Sequence, residues 1–135
     1  MKLIVHTDGG ARGNPGPAAI GVVITDETKK KIQEFGKRIG ETTNNVAEYT
    51  AVIEALKKIK ENDTSADCIF FLDSTLVVNQ LNGLFKIKDA KLRALATEIR
   101  ILEQEVRGVV SYHAVPREQN RRADFLVNTA LDTQP

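Results

Sequence analysis

Apolar and polar positions alternate along the chain in blocks that define its elements. Leu3-Ile4-Val5 leads into Thr7-Asp8 and then a glycine- and proline-rich stretch that ends at Pro17. A short apolar run stopped by such residues predicts a buried strand over 2–8, with Asp8 at its tip. Residues 18–25 predict a second strand, 26–29 a turn, and 32–39 a third strand in which Gly36 is a candidate bulge. With such short connections the three form an antiparallel meander. Val46, Tyr49, Ile53, Leu56 and Ile59 follow at spacings of three and four. That period predicts a helix running to about Lys60, and Asn45 with Glu48 has the spacing of a capping box.

After a loop at 61–65, Cys68-Ile69-Phe70-Phe71-Leu72 is continuously apolar and stops at Asp73. Such a run predicts a strand covered on both faces. A short helix over 74–81 ends at Asn82-Gly83. Leu92, Leu95, Ile99, Leu102 and Val106 mark a second long helix, closed at Gly108. Residues 109–115 predict the last strand. Asn120 is the candidate cap of a final helix carrying Ala123, Leu126, Val127 and Ala130, and 132–135 read as a frayed tail. The order is βββαβααβα. Helical crossovers on either side of the fourth strand make the first, fourth and fifth strands parallel. The expected class is α/β, a mixed five-stranded sheet with helices on both faces.

Composition narrows the function classes. The 135 residues suit one domain, 1–135, and are 41% apolar and 27% charged. A net charge of +1 points to no partner by itself, so only local patches can. The single cysteine, Cys68, sits in an apolar run and is expected in the core. Lys2 is followed by only three apolar residues, so no signal peptide is expected, and no stretch approaches the roughly 18–20 apolar residues of a membrane span. A cytoplasmic address follows as the default. Nothing in the sequence demands a membrane, an obligate protein partner or more than a monomer.

Asp8 and Asp73 each end a strand expected at the centre of the sheet. If the two strands are parallel neighbours, both acids share one sheet edge, where α/β sheets place their sites. Glu48 and Asp124 fall in the first turns of helices entered near that edge. Such a cluster either raises its pKa values or holds metal, and all-oxygen ligands favour Mg²⁺ and then Mn²⁺. Each acid also has a plain structural role open to it. Asp8 suits a turn, Glu48 a capping box, Asp73 the cap of the next helix, and Asp124 a helix N-terminus. His6 and His113 read as structural, and the basic run from Lys86 to Arg93 as a solvated face.

Four motifs in order change this balance. Thr7-Asp8-Gly9-Gly10 with Gly13-Asn14-Pro15-Gly16-Pro17, then Thr43-Asn44-Asn45-Val46-Ala47-Glu48, then Asp73-Ser74, then Asn120-Arg121-Arg122-Ala123-Asp124 together resemble type 1 ribonuclease H over essentially the whole chain. The resemblance implies a ribonuclease-H-like sheet of order 3-2-1-4-5 with the second strand antiparallel. It implies endonucleolytic hydrolysis of the RNA strand of RNA–DNA hybrids with two Mg²⁺ ions per site, Mn²⁺ being a possible substitute. Asp8, Glu48, Asp73 and Asp124 would be the catalytic metal ligands, with Asp8 shared between the ions, and the products would carry 5′-phosphate and 3′-hydroxyl ends.

Substrate contacts implied by the same resemblance fall on the main chain of Gly10, Ala11 and Arg12, on Asn14, Asn44 and Asn45 toward 2′-hydroxyls, and on Thr43 toward a phosphate of the DNA strand. Three departures stand out. The segment 116–120 lacks the histidine that many bacterial members carry there, and Arg117 or Glu118 is the candidate replacement. Thr75 occupies a position where some members place a glutamine in the minor groove, which weakens that contact. The Trp-rich basic protrusion of some members is absent, with Lys86, Lys88, Lys91 and Arg93 as a possible stand-in. Two other classes compete: a nucleic-acid- or protein-docking module that has lost catalysis, disfavoured because all four acids are present, and another enzyme of the same fold, disfavoured by the glycine loop and the Asn-Asn-x-x-Glu stretch. A phosphate-binding protein lacks the Gly-Lys-[Ser/Thr] signature.

Overall fold

The structure, a computed structural model, describes residues 1–62 and 65–133. Its elements are β1 (Lys2–Ala11), β2 (Gly16–Asp26), β3 (Lys31–Thr42), α1 (Asn44–Glu61), β4 (Asp67–Leu72), α2 (Thr75–Leu81), α3 (Ala90–Glu105), β5 (Val110–Ala114), a 3₁₀ turn Arg117–Asn120, and α4 (Arg121–Asp132). The sheet order is β3-β2-β1-β4-β5, with β1–β2 and β2–β3 antiparallel and β1–β4 and β4–β5 parallel. This is the expected topology.

Asp8 is not at the tip of its strand. The ladder with β2 runs on from Asp8↔Gly21 to Ala11↔Ala18, so Gly9 and Gly10 are strand residues. On the other side, the parallel ladder with β4 ends at His6↔Phe71. Asp8 and Asp73 each lie two residues past that last pair, which is what brings them to the same edge. Gly36 is not a bulge either, because it pairs regularly with Gly21. The register shifts instead at Ala18/Ala19 and at Ile24/Thr25, skipping Ile39 and Ile32 on β3.

Most of the core lies beneath α1, α2 and α3, where Val5, Tyr49, Leu56, Phe70, Leu72 and Ile99 are fully buried. A second, small cluster of Ala19, Val127 and Leu131 joins α4 to β2. Because α4 packs over β1, β2 and β3, it leaves the outer residues of β4, Ile69 and Phe71, half-buried. The expectation of cover on both faces therefore fails for β4. His6, Phe71 and His113 form a row there, with ring centroids 5.3 and 5.6 Å apart.

Local capping also differs from expectation. Thr43, not Asn45, caps α1, accepting a hydrogen bond from Val46 N at 3.3 Å. Ser74, not Asp73, caps α2 by accepting from Val77 N. Asn120 stands at the N-cap of α4 but makes no cap bond; its Nδ2 donates to the Thr7 carbonyl at 2.9 Å. Asp132 belongs to α4 rather than to a tail, Glu61 belongs to α1, and residues 63, 64, 134 and 135 lie outside the described residues. No described helix is long and apolar enough to cross a membrane.

Candidate active site built from carboxylates

Two close backbone approaches assemble the site. At Gly9 an added Cβ would stand 2.3 Å from the carbonyl of Ala47. Only glycine lets the first turn of α1 sit against β1 there. That contact delivers Glu48, whose Oε1 accepts from Gly9 N at 3.0 Å, while Asp8 Oδ1 accepts from the same N–H at 3.0 Å. Glu48 is therefore not a capping-box partner; its carboxylate points across to the strand.

The second approach is on the opposite face. Asp8, Gly21 and Gly36 lie in one row across β1, β2 and β3. A Cβ at Gly21 would stand 2.2 Å from Ala123 O, and one at Gly36 would stand 2.5 Å from Leu126 O. This glycine pair is a saddle on which the start of α4 rests, and it brings Asp124 to Asp8. Neither glycine was singled out from the sequence for this role. The available signal was a glycine inside each of two neighbouring strands, which marks close backbone approach as readily as a bulge.

Asp8, Glu48 and Asp73 each offer a carboxylate oxygen within 4.8 Å of the others. Asp124 lies outside that trio but lines the same cleft of about 360 Å³ and faces Asp8 closely enough to raise its pKa. Asp8 and Glu48 are buried. Burial first, then the Asp73 and Asp124 charges, push Asp8 up to about 7, against a hydrogen bond with Glu48 that pulls the other way. Glu48 is also held well above its ordinary value, by burial and then by the charge of Asp8. Glu48 Oε2 and Asp73 Oδ2 are buried without a hydrogen-bond partner. Like charges, low exposure and orphaned oxygens are costly together. A hard divalent cation relieves all three, and this all-oxygen donor set fits one.

The remaining expected residues fall in three places. Gly10, Ala11, Arg12, Asn44 and Asn45 line the carboxylate cleft. Asn14 and Thr43 line a neighbouring groove shared with Asn44, Asn45 and Lys91. Thr75 is exposed on the first turn of α2 and lines neither. The asparagines are already tied together: Ala11 N donates to Asn44 Oδ1 at 2.8 Å, and Asn44 N donates to Asn14 Oδ1 at 3.0 Å. These bonds use the carbonyl end of each side chain and leave the amide end to donate. Arg117 lines the cleft with Nε 4.0 Å from Asp73 Oδ2, whereas Glu118 is exposed outside it. Asn128, which sequence reasoning passed over, also lines the cleft, one turn beyond Asp124.

A family model described as reverse transcriptase-like matches residues 6–130. A bifunctional protein of Mycobacterium tuberculosis is 40% identical over 134 residues, covering 98% of this chain and 36% of that protein. Ribonuclease HI of Halobacterium salinarum is 43% identical over 132 residues, covering 97% of this chain and 65% of its own length. The chain thus spans about a third of the mycobacterial relative and just under two thirds of the halobacterial one. Among solved structures, LC11-RNase H1 in complex with RNA/DNA hybrid superposes with a TM-score of 0.93 at 45% identity, over 97% of both chains.

Proposed function

Because the chain belongs to the type 1 ribonuclease H family, we propose that it is a metal-dependent endoribonuclease that hydrolyses the RNA strand of RNA–DNA hybrids and leaves 5′-phosphate and 3′-hydroxyl ends. The observation that carries this reading is the convergence of Asp8, Glu48 and Asp73, with orphaned carboxylate oxygens, beside Asp124. The four acids would hold two divalent ions, Mg²⁺ by the hardness of the ligands and Mn²⁺ as a substitute. Bound there, such ions supply activation of a water nucleophile and charge stabilisation at the leaving oxygen.

The chain's own groups do the rest. Gly9 N orients both Asp8 and Glu48 through its shared hydrogen bond. The Ala11–Asn44–Asn14 chain of bonds fixes the rim, so that the amides of Asn14, Asn44 and Asn45 and the main chain at Gly10 to Arg12 meet 2′-hydroxyls in a set geometry. Thr43, held as the α1 cap beside Lys91, faces the DNA strand's phosphate from the neighbouring groove. Thr75 contributes only a peripheral groove contact. Arg117, in the short segment that lacks the histidine of many bacterial members, stands beside Asp73 and would offer a fixed positive charge to the phosphate. In this reading residues 1–135 act as one catalytic domain, as a cytoplasmic monomer.

The test is cleavage of a hybrid labelled separately on each strand, with and without Mg²⁺. RNA-strand cuts that need metal, with 3′-hydroxyl ends open to polymerase extension, support the reading. Binding without cutting in Mg²⁺ or Mn²⁺ overturns it in favour of a docking module.

A further inference from the structure

Two cations line the carboxylate cleft, Arg117 and Arg12. They come from different elements, Arg117 from the turn before α4 and Arg12 from the residue just past β1. The backbone around Arg12 is tied down. Its N–H donates to Pro17 O at 2.8 Å, and its neighbour Ala11 is bonded to Asn44. The side chain is held far less firmly. Its Nη1 pairs with Asp132 Oδ1 at 2.6 Å, with the two side chains 48% and 66% exposed, and its Nη2 reaches Asn128 Oδ1 only at 3.4 Å.

Asp124, Asn128 and Asp132 follow one another at intervals of four, so they share one face of α4. Asn128 Nδ2 donates to the Asp124 carbonyl at 3.1 Å, keeping that face in register. Arg12 therefore lies along a strip that begins at the carboxylate cluster and ends at an exposed, exchangeable acid. Ion pairs this exposed add little to stability and are readily screened. A phosphodiester offers the same planar fork two oxygens. A cleft lined by four acids otherwise repels a polyanion, so a cation with a replaceable partner at its rim has a clear use.

We infer that Arg12 is a substrate-positioning residue that grips a backbone phosphate of the bound strand on the α4 side of the cleft, and that Asp132 is its competitor, holding the guanidinium until the phosphate takes it. This rests on the hybrid-cleaving reading above and goes beyond its main-chain role for Arg12. The competitor separates the inference from a merely structural latch. Removing one half of a latch weakens the protein, whereas removing a competitor strengthens binding.

The experiment measures steady-state cleavage of the hybrid over a range of salt for Arg12→Ala, Arg12→Lys, Asp132→Asn and the Arg12→Ala/Asp132→Asn double variant, with thermal midpoints recorded for each. Arg12→Ala is expected to raise KM about five- to tenfold, with the loss falling on KM rather than kcat, and to flatten the salt slope by about 0.7–0.9 for one lost phosphate contact. Arg12→Lys keeps the slope and recovers part of KM, because it keeps the charge and loses the fork. Asp132→Asn lowers KM about twofold when Arg12 is present and clearly less when it is not, the sign of coupling between neighbours. The inference is overturned if Arg12→Ala shifts only the thermal midpoint, or if Asp132→Asn acts equally in both backgrounds. Anisotropy of a fluorescent hybrid in EDTA makes the same comparison without catalysis. A wild type that binds but does not cut thus removes the nuclease reading and still decides the role of Arg12.

Discussion

Two regions of this small protein draw acids out of full solvent exposure, and they treat them in opposite ways. Behind the sheet, Glu103 on α3 is saturated with donors. The Tyr112 hydroxyl donates to its Oε2 at 2.6 Å, and Arg100 Nη1 reaches both of its oxygens at 2.9 and 3.1 Å. Arg100 also donates to the Leu81 carbonyl, which ties α3 to the end of α2. Nearby, the Tyr49 hydroxyl donates to Gln80 Oε1 at 2.7 Å. At the front edge, Asp8, Glu48 and Asp73 face one another; Asp8 and Glu48 share the single N–H of Gly9, and Glu48 Oε2 and Asp73 Oδ2 are left without a hydrogen bond. The first arrangement is what a stable interior requires of polar groups. The second is what a cation site requires, because partners for the carboxylates inside the protein would compete with the ion. The difference separates an acid paired within the fold from acids left open to a cation.

The comparison is broken most directly at the front edge. Asp73→Asn keeps the shape and removes one charge from the ligand set. Cleavage is expected to fall by about three orders of magnitude, equivalent to about 4 kcal/mol. Circular dichroism and the thermal midpoint, measured beside the rate, should show a fold that is intact or firmer. A midpoint that falls in step with activity would place Asp73 among the structural acids.

Next in size is the saddle that brings Asp124 forward. Gly21→Ala places a methyl 2.2 Å from Ala123 O, so α4 must lift. The expected cost is about 1–3 kcal/mol of stability, read from urea unfolding. Activity of the folded fraction should fall as well, because Asp124 moves with the helix. Loss of stability with full activity would mean that α4 does not set the site.

Behind the sheet, Glu103→Ala leaves the Tyr112 hydroxyl without its acceptor and Arg100 with only the Leu81 carbonyl. This should cost about 1–2 kcal/mol of stability with no change in kcat, which sharpens the contrast from the other side.

The smallest effect concerns pH in chelator. Asp8 titrates near 7 in the folded protein, above the ordinary carboxylate value. A carboxyl raised in this way holds its proton more tightly when folded. Its contribution is therefore full below the ordinary value near 4 and is lost as pH rises through about 7. Asp8→Asn should accordingly raise the metal-free thermal midpoint at pH 8, by roughly 5 °C, and give no gain at pH 4. A destabilising Asp8→Asn at pH 8 would show that the carboxylate is well satisfied without metal.

Much of this was legible in the sequence. The order of elements followed from apolar periods and breakers, and the parallel arrangement of β1, β4 and β5 followed from the crossovers between them. Asp8 and Asp73 could be placed at one edge because each was expected to end a central strand, the two strands being parallel neighbours. The four motifs then named the acids together. Local capping was less legible. Thr43, Asn44 and Asn45 are all good caps, and only the packing of Gly9 against Ala47 decides which residue begins α1 and frees Glu48 to turn toward β1. Gly36 was misread as a bulge because a glycine in a strand has two explanations, and the one that applies depends on a helix some ninety residues away.

By itself the sequence determined the elements, their order and the acids available for chemistry, since periodicity, breakers and motif spacing are local properties of the chain. The tertiary structure decided which carboxylates are left without partners and how far apart they stand. It also decided that Arg12 lies on the Asp124–Asn128–Asp132 face of α4. Those are relations between residues distant in the chain, and they are set by backbone contacts at Gly9, Gly21 and Gly36 that exist only once helix and sheet have packed.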